Sequence, residues 1–181
     1  MAHTEKILHS TLLRHGRVFD YEEREVALED GSTALRDVIT HHGGVAVLAL
    51  DEEDRLLMVR QYRSGAGREL LELPAGKLEA GEDPAACGIR ELEEECGLIT
   101  DCVTPLATLW PTPAYCSERI TVYKAGKLSP GTVHLDEGEF VTPEWVPFEQ
   151  AVEMVLSGEI TDAKSQIGIL KYAVLRQREK E

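Results

Sequence analysis

Basic residues are scarce in this chain, in which 19 lysines and arginines stand against 33 aspartates and glutamates, for a formal net charge of -14 at pH 7. Binding to nucleic-acid phosphate along an extended surface needs an excess of lysine and arginine, so the composition excludes a general nucleic-acid-binding protein. An acidic chain that handles a small phosphorylated molecule must neutralise its own carboxylates at the site, and a metal ion is one way to do so.

Long apolar runs and paired cysteines are also absent. No segment approaches the roughly 18 consecutive apolar residues of a membrane span, and residues 1–10 contain no apolar run flanked by basic residues, so we expect neither a membrane span nor a signal peptide. The cysteines Cys87, Cys96, Cys102 and Cys116 form no CxxC pair and have no histidine at zinc spacing. Free thiols are typical of a reducing compartment, and we therefore expect a cytoplasmic protein without membrane or nucleic-acid partners.

What remains is the composition of a globular domain, 43% hydrophobic and 29% charged over 181 residues. The first forty residues alternate like strands, and the turn at Asp30-Gly31 predicts a hairpin. Strands are predicted at 17–28, 34–41, 45–50, 56–61, 70–73, 103–109, 120–124 and 140–146, and helices from Pro84, at 148–156 and from 163 to about 177. Because strands and helices interleave, the pattern predicts an α/β or α+β fold with a mixed sheet covered by helices.

One predicted helix carries an unusual concentration of carboxylates. Asp83 and Pro84 suit its first positions, Gly97 suits a left-handed C-terminal cap, and Glu91 and Glu95 share one helical face because they stand four residues apart. The predicted apolar face consists of Ala85, Ile89, Leu92 and Cys96. A bare acidic cluster of this kind is more often a solvated surface, so the flanking residues decide its interpretation.

Like charges at this spacing work against the helix. Each pair costs roughly 0.2–0.5 kcal/mol, and the helix dipole disfavours anions near the C-terminus. A hard cation such as Mg²⁺ or Mn²⁺ reverses the effect because it binds clustered oxygen ligands. Glu94 borders the same face and can pair with Arg90. Upstream, residues 74–76 predict a tight turn that brings a backbone carbonyl beside the carboxylates.

The segment from Gly76 to Leu98 reads GKLEAGEDPAACGIRELEEECGL. It resembles the Nudix box, G-x5-E-x7-R-E-U-x-E-E-x-G-U with U apolar, at every specified position: Gly76, Glu82, Arg90, Glu91, Leu92, Glu94, Glu95, Gly97 and Leu98. The resemblance implies the Nudix fold, an α/β/α sandwich whose box forms a metal-binding loop–helix–loop. It also implies a hydrolase that cuts the pyrophosphate of a nucleoside diphosphate linked to another group, with two or three Mg²⁺ ions, or alternatively Mn²⁺ or Zn²⁺.

Position in the box implies a role for each polar residue. Glu91 and Glu95 would be the principal metal ligands, and Arg90 would orient the glutamates. Three further groups would join or support the metal site: Glu94, the carbonyl of Ala75, and Glu82.

Outside the box the chain resembles the ADP-ribose pyrophosphatase branch of the family over nearly its whole length. Residues 59–63, VRQYR, are similar to the branch's R-Q-x-R, and residues 72–76, ELPAG, to its E-x-P-A-G. The branch carries a proline about fifteen residues after the box, and Pro113 stands there. Ala114 replaces the glycine that usually follows, so this loop must avoid the backbone angles that only glycine adopts easily.

The same resemblance implies substrate contacts. A guanidinium suits bidentate phosphate binding, and a flat apolar ring suits a purine base. The substrate-binding candidates are Arg63, Arg60, Arg36, Phe19, Pro113 and Glu118, with Tyr21 and Trp110 as alternatives to Phe19 for stacking. Single arginines are more often ion-pair residues, and single aromatic residues more often core residues, so a structure must decide between these roles.

Residues 136–140, DEGEF, resemble the acidic loop from which this branch supplies a further carboxylate. Glu139 is the first candidate for an additional metal ligand or for the base that activates water, and Glu137 is the second. The strands within residues 1–42 resemble the extra sheet through which the branch forms a domain-swapped homodimer. Residues 43–181 would then form the Nudix domain.

The residues leave the substrate open among related molecules. The branch implies ADP-ribose, cleaved to AMP and ribose 5-phosphate, and the alternatives within the family are GDP-mannose, FAD and diadenosine polyphosphates. The N-terminal extension argues against the minimal nucleotide-triphosphate-cleaning type. A non-catalytic nucleotide-sugar sensor that retains the fold is the alternative of another class, but such sensors usually have a degraded box, whereas this box is complete.

Overall fold

The computed structural model describes residues 3–179, which form two compact units. The first consists of the described residues up to Gly43 together with Trp110–Arg119, and the second of Gly44–Leu109 and the residues from Ile120 onward. The elements, in chain order, are β1 (Lys6–His15), β2 (Asp20–Ala27), β3 (Thr33–Thr40), β4 (Gly44–Leu48), β5 (Arg55–Arg63), β6 (Arg68–Glu72), β7 (Ala75–Lys77), α1 (Pro84–Cys96), β8 (Leu98–Thr100), β9 (Val103–Leu109), β10 (Ile120–Ala125), β11 (Leu128–Pro130), β12 (Val141–Pro147), α2 (Phe148–Leu156) and α3 (Ala163–Arg178).

The first unit is an antiparallel sheet of order β1-β2-β3. The predicted hairpin is confirmed, since β2 and β3 pair from Asp20↔Thr40 to Ala27↔Thr33 around a turn in which Gly31 has a φ of 84°. The loop Trp110–Arg119 joins β3, because the amide of Ile39 donates to the carbonyl of Tyr115 at 2.7 Å. Pro113 therefore belongs to the same unit as the N-terminal sheet.

The second unit is built around a four-stranded mixed sheet of order β7-β4-β10-β9. β4 and β10 are parallel, and the other pairs are antiparallel. A three-stranded antiparallel sheet of order β12-β5-β6 and a two-stranded sheet of β11 and β8 accompany it. Every residue of β4 is buried, as a continuous apolar run predicts for a strand that is covered on both faces.

Helices cover both faces of β4, which confirms the α/β/α sandwich. Ala46 and Leu48 belong to a core cluster with residues of α2 and α3. Val47 belongs to a cluster with Leu92 of α1. Alternate residues of a strand point to opposite faces, so the two helical layers are on opposite sides of the sheet.

One local expectation is wrong, and another is confirmed only in part. Residues 75–77 form β7 rather than a tight turn, because β4 already pairs with β10 and its other edge takes Ala75 opposite Ala46. The predicted apolar face of α1 is confirmed in part, since Leu92 is buried and Ala85 and Cys96 pack against the core, but Cys87, Gly88 and Glu95 are buried as well. Gly88 lies close to the sheet, where an added Cβ would be 3.3 Å from Cγ2 of Val47. The strands β8 and β11 were not predicted, since three residues are too few to show alternation.

The predicted ends of the last two helices are confirmed. α2 ends just before Gly158, which has a φ of 81°, and α3 begins after Asp162, whose carboxylate accepts from the amide of Ser165 at 2.9 Å. Within residues 3–179, no helix combines the length and apolar character needed to cross a bilayer.

Buried charges tie the start of α3 to the end of β6. Lys164 Nζ lies 2.6 Å from an oxygen of Glu72 and 3.0 Å from one of Asp162. The Glu72 side chain is 1% exposed, so its charge depends on these partners and on Arg63, which lies 2.7 Å away. Because Glu72 stands three residues before β7, the network fixes the segment that leads into β7 and then into α1.

We expect Lys164→Met to lower the free energy of unfolding by roughly 3 kcal/mol, because it leaves a buried carboxylate with less compensation. Urea denaturation followed by circular dichroism measures the change. The matched control is Lys171→Met, an exposed lysine of the same helix, which should shift stability by less than about 0.5 kcal/mol. Equal stability of the two variants would contradict the structural role of the pair.

Candidate active site

The capping residues of α1 fix where its carboxylates lie. The Asp83 side chain accepts from the amides of Ala85 and Ala86, both at 3.0 Å, and Pro84 occupies the first turn. At the other end Gly97 adopts the left-handed conformation, with φ 64° and ψ 32°. The predicted start and end of this helix are therefore confirmed.

Glu91 and Glu95 both lie against β7. The Glu95 side chain accepts from the amide of Ala75 at 3.0 Å, and the residue is 2% exposed. The Glu91 carboxyl occupies the space beside Gly76, where an added Cβ would be 1.8 Å from its Cδ. Only glycine fits at position 76 with Glu91 in this place. The backbone contact that is observed is the amide of Ala75, and the ligand role of its carbonyl stays a prediction.

Burial and like charge both work against ionisation of these two carboxyls. Burial, aided by the charges of Glu91 and Glu139, raises the pKa of Glu95 to about 8, although the hydrogen bond from Ala75 lowers it. Burial also raises the pKa of Glu91, and this effect outweighs the nearby Arg90 guanidinium. We call Glu91 and Glu95 the carboxylate stripe. A cation at the stripe would favour the charged forms.

Arg90 binds the carboxylates that surround the stripe. Its Nε donates to Glu82 at 2.9 Å, and Nη1 donates to Glu94 at 2.6 Å, which confirms the predicted pairing with Glu94. Nη1 also lies 3.0 Å from Glu91. Hydrogen bonds from the guanidinium hold the pKa of Glu82 at about 2. Arg90 therefore fixes three glutamates, including one of the stripe.

The acidic loop brings one of its two candidate carboxylates towards the stripe. Glu139 ends a turn in which Gly138 has a φ of 83°, and its side chain accepts from Nε2 of Gln61 at 3.1 Å. Its charge raises the pKa of both Glu91 and Glu95. Glu137 is exposed. The geometry therefore favours Glu139 over Glu137.

Sequence reasoning did not select Gln61 as a functional residue. It stands between Arg60 and Arg63, which were selected because guanidinium groups bind phosphate. The available signal is a polar amide near the end of a strand whose preceding residues, 56–59, are apolar. That signal is weak without knowledge of which loop faces the strand.

The three candidate arginines all form ion pairs. Arg63 pairs with Glu72, Arg60 with Glu144 at 2.9 Å, and Arg36 with Glu5 in the first unit. The Glu72 carboxylate and, to a smaller extent, Glu95 raise the pKa of Arg63 despite burial, which acts in the opposite direction. Arg63 is thus the candidate that lies in the field of the stripe, and the substrate roles of all three stay predictions.

The remaining substrate candidates lie in the first unit: Phe19, Tyr21, Trp110, Pro113 and Glu118. Phe19 and Trp110 are 45% and 52% exposed, so neither side chain is buried in a hydrophobic core. The Tyr21 hydroxyl donates to Asp37 at 2.5 Å. Pro113 is exposed within a turn closed by the amide of Cys116 on the carbonyl of Thr112 at 3.1 Å. Glu118 lies 3.7 Å from Nδ1 of His41.

The donor set of the second unit fits a divalent cation. Among residues 3–179, no three histidine, cysteine or carboxylate side chains converge tightly enough to enclose an ion by themselves. The chemistry is nevertheless that of a hard cation, because the stripe offers carboxylate oxygens whose repulsion an ion relieves. Separately, the buried side-chain oxygen Oε1 of Gln61 has no hydrogen-bond donor among residues 3–179.

Comparison with known proteins agrees with the box. Residues 40–166 match the model of the NUDIX domain. The chain is 37% identical over 175 residues to the ADP-ribose pyrophosphatase of Bacillus subtilis, covering 96% of this chain and 94% of that protein. It is 36% identical over 172 residues to the ADP-ribose pyrophosphatase of Mycobacterium tuberculosis, covering 93% and 83%. The methanol dehydrogenase activator of Bacillus methanolicus is 35% identical over 175 residues, covering 96% and 94%.

The fold has a solved counterpart. The crystal structure of an ADP compounds hydrolase superposes with a TM-score of 0.85 at 21% identity, covering 97% of this chain and 95% of that chain. The sandwich and its acidic helix thus define a hydrolase of the Nudix type. The chain belongs to the Nudix family, whose hydrolases generally use divalent metal ions.

We expect Gly76→Ala to lower Mg²⁺-dependent hydrolysis about 10- to 100-fold, because the new methyl group displaces Glu91 from the stripe. Steady-state kinetics across a magnesium titration measures the loss. The control is Gly65→Ala, where an added Cβ meets open space and turnover should not change. A Gly76→Ala enzyme with wild-type magnesium dependence would show that the position of Glu91 is unimportant.

Proposed function

We propose that the protein hydrolyses the diphosphate of ADP-ribose to AMP and ribose 5-phosphate. The observation that carries the proposal is the carboxylate stripe on a complete Nudix box. Two relatives at 36–37% identity, each aligned over more than nine-tenths of this chain, are named ADP-ribose pyrophosphatase. The complete box and the carboxylate stripe favour a catalyst over a non-catalytic sensor.

Glu91 and Glu95 hold the cations in this proposal, joined by Glu94 and the carbonyl of Ala75. When bound, two or three Mg²⁺ ions, or Mn²⁺ or Zn²⁺ in their place, neutralise the diphosphate and lower the pKa of a bound water. Arg90 keeps the glutamates in place, and Glu82 supports Arg90 from the opposite side, at 2.9 Å. The arrangement keeps the acidic oxygens oriented before substrate arrives.

Glu139 is the proposed base. Its carboxylate is partly buried and acts electrostatically on both residues of the stripe. In the proposed step, a water oxygen forms a bond to one phosphorus, and the bond from that phosphorus to the bridging oxygen breaks. Glu139 takes a proton from the water, and the bridging oxygen leaves with the second phosphate. Glu137 is the reserve for this role.

The candidates for substrate contacts are proposed for each unit by itself. Arg63 is proposed to contact the diphosphate, because a guanidinium suits bidentate phosphate binding, and Arg60 and Arg36 are secondary candidates. Phe19 is proposed to stack on the adenine, with Tyr21 and Trp110 as alternatives. The loop of Pro113 and Glu118 is proposed to border the ribose.

The test is a substrate panel with Mg²⁺ that contains ADP-ribose, GDP-mannose, FAD and a diadenosine polyphosphate. We expect ADP-ribose to have the highest kcat/KM, with AMP and ribose 5-phosphate formed in equal amounts. Glu95→Gln should lower kcat about 10²- to 10³-fold, the loss typical of removing one electrostatic group at a reacting centre. Glu93→Gln, a glutamate of the same helix outside the specified box positions, is the control and should retain activity.

Two outcomes would contradict the proposal. A preference for GDP-mannose would assign the chain to another nucleoside diphosphate derivative within the family. The absence of Mg²⁺-dependent hydrolysis for every compound, with ADP-ribose binding retained, would indicate the non-catalytic sensor.

We also propose that the protein is a homodimer formed through the N-terminal sheet. All ten residues of β1 are exposed, and its apolar side chains are between 49% and 56% exposed: Ile7, Leu8, Leu12 and Leu13. Exposed apolar side chains on an edge strand are typical of an interaction site. A second copy of this sheet has matching chemistry, so it is the proposed occupant. Cytoplasmic location and the absence of nucleic-acid partners stay predictions.

We expect Leu12→Glu combined with Leu8→Glu to convert the dimer to a monomer, because the substitutions place charge in an apolar interface. Size-exclusion chromatography with light scattering should give twice the chain mass for the wild type and one chain mass for the variant. Leu156→Glu, at an exposed leucine of α2 that is 66% exposed, is the control and should remain dimeric. A monomeric wild type at micromolar concentration would contradict the dimer.

A further inference from the structure

Gln61 is held rigidly near the end of the central strand of its sheet. It pairs with Val141 of β12 on one side and with Leu70 of β6 on the other. Because the backbone of Gln61 is paired on both sides, the position from which its side chain extends is fixed. The amide nitrogen Nε2 then donates to Oε1 of Glu139 at 3.1 Å.

The other end of the same amide is unsatisfied. Within residues 3–179, Gln61 Oε1 is the only buried side-chain nitrogen or oxygen without a hydrogen-bond partner. Buried polar atoms are almost always paired, and an unpaired one costs free energy. An apolar residue here would avoid that cost. The retained carbonyl oxygen points to a donor that arrives with the bound state of the site.

The loop that carries Glu139 has few attachments of its own. The turn is closed by the amide of Glu139 on the carbonyl of Asp136 at 3.0 Å, and the next residue, Phe140, is 83% exposed. Among the side-chain hydrogen bonds within residues 3–179, the one from Gln61 is the attachment of residues 136–140 to the sheet. The position of the Glu139 carboxylate therefore depends on Gln61.

We propose that Gln61 is a positioning residue for proton transfer, which holds Glu139 through Nε2 and accepts the second O–H of the attacking water at Oε1. The inference rests on the proposed function, in which Glu139 is the base. One O–H of the water then faces Glu139, and the other faces the free lone pairs of Gln61. Both contacts fix the water's oxygen for attack on phosphorus, and the proton that leaves goes to Glu139.

Kinetics of Gln61→Leu with ADP-ribose tests the positioning role. We expect kcat to fall about 10- to 100-fold, as for other residues that support a ligand or base, and KM to change less than about threefold because Gln61 does not bind the sugar or base. Gln61→Glu keeps the size but places a carboxylate against Glu139, so it should lose at least as much. Gln150→Leu, the same substitution at an exposed glutamine of α2, should retain wild-type kcat. A Gln61→Leu enzyme with unchanged kcat would overturn the inference.

A double-mutant cycle separates action through Glu139 from an independent effect. If both contacts of Gln61 serve proton transfer to Glu139, then Gln61→Leu should lower kcat less than about threefold further in a Glu139→Gln background. Losses that multiply in the double variant would show that the two residues act separately, and would overturn the inference.

Hydrogen–deuterium exchange of the metal-free protein supplies a readout that does not require activity. Gln61→Leu should speed exchange at residues 136–140 about tenfold, since it removes the attachment of the loop, whereas Gln150→Leu should leave it unchanged. Unchanged exchange in Gln61→Leu overturns the inference even if ADP-ribose is hydrolysed. A wild type that fails to hydrolyse ADP-ribose instead overturns the proposed function, while the exchange result still reports on the loop.

Discussion

Desolvation of two neighbouring acidic groups, the buried Glu95 and the half-buried Glu91, is the constraint around which the second unit is arranged. Glu91 and Glu95 stand one helical turn apart and face β7, and the hydrogen bond that Glu95 receives comes from the neutral amide of Ala75. Burial raises the pKa of both groups. Without a cation, burial makes the charged forms of this pair costly, and a divalent ion would favour those forms while gaining the oxygen ligands it prefers.

The elements around Glu91 and Glu95 fix the positions of these two side chains. β4 is paired on both edges, so β7 is fixed beside it, and the absence of a side chain at Gly76 leaves the space that Glu91 occupies. Arg90 forms ion pairs with Glu82 and Glu94, so its positive charge compensates the carboxylates that surround the stripe. Lys164 of α3 forms an ion pair with the buried Glu72 of β6. The packed elements of the second unit thus hold charged side chains in fixed positions as well as excluding water.

Local patterns were sufficient for much of this structure. The limits of α1, the buried strand β4 and the start of α3 follow from capping residues and from apolar runs, which act over a few neighbouring residues. The family and the glutamates of the box followed from one contiguous segment. Membership of the Nudix family is confirmed, whereas the metal ions, the base and the substrate contacts stay predictions.

What the sequence did not predict depends on contacts between distant segments. The burial of Gly88 depends on its close approach to Val47 of β4, and β7 forms because β4 has a free edge. Lys164 and Glu72 are 92 residues apart, and Gln61 and Glu139 are 78 apart. No local period marks such pairs, and each partner alone has the character of a surface residue.

Anomalous diffraction from crystals grown with Mn²⁺ and a non-hydrolysable ADP-ribose analogue tests the central claim most directly. The account predicts manganese peaks bonded to Glu91 and Glu95 and bridging them to the diphosphate. Ordered analogue bound elsewhere, with both carboxylates free of metal, would contradict it.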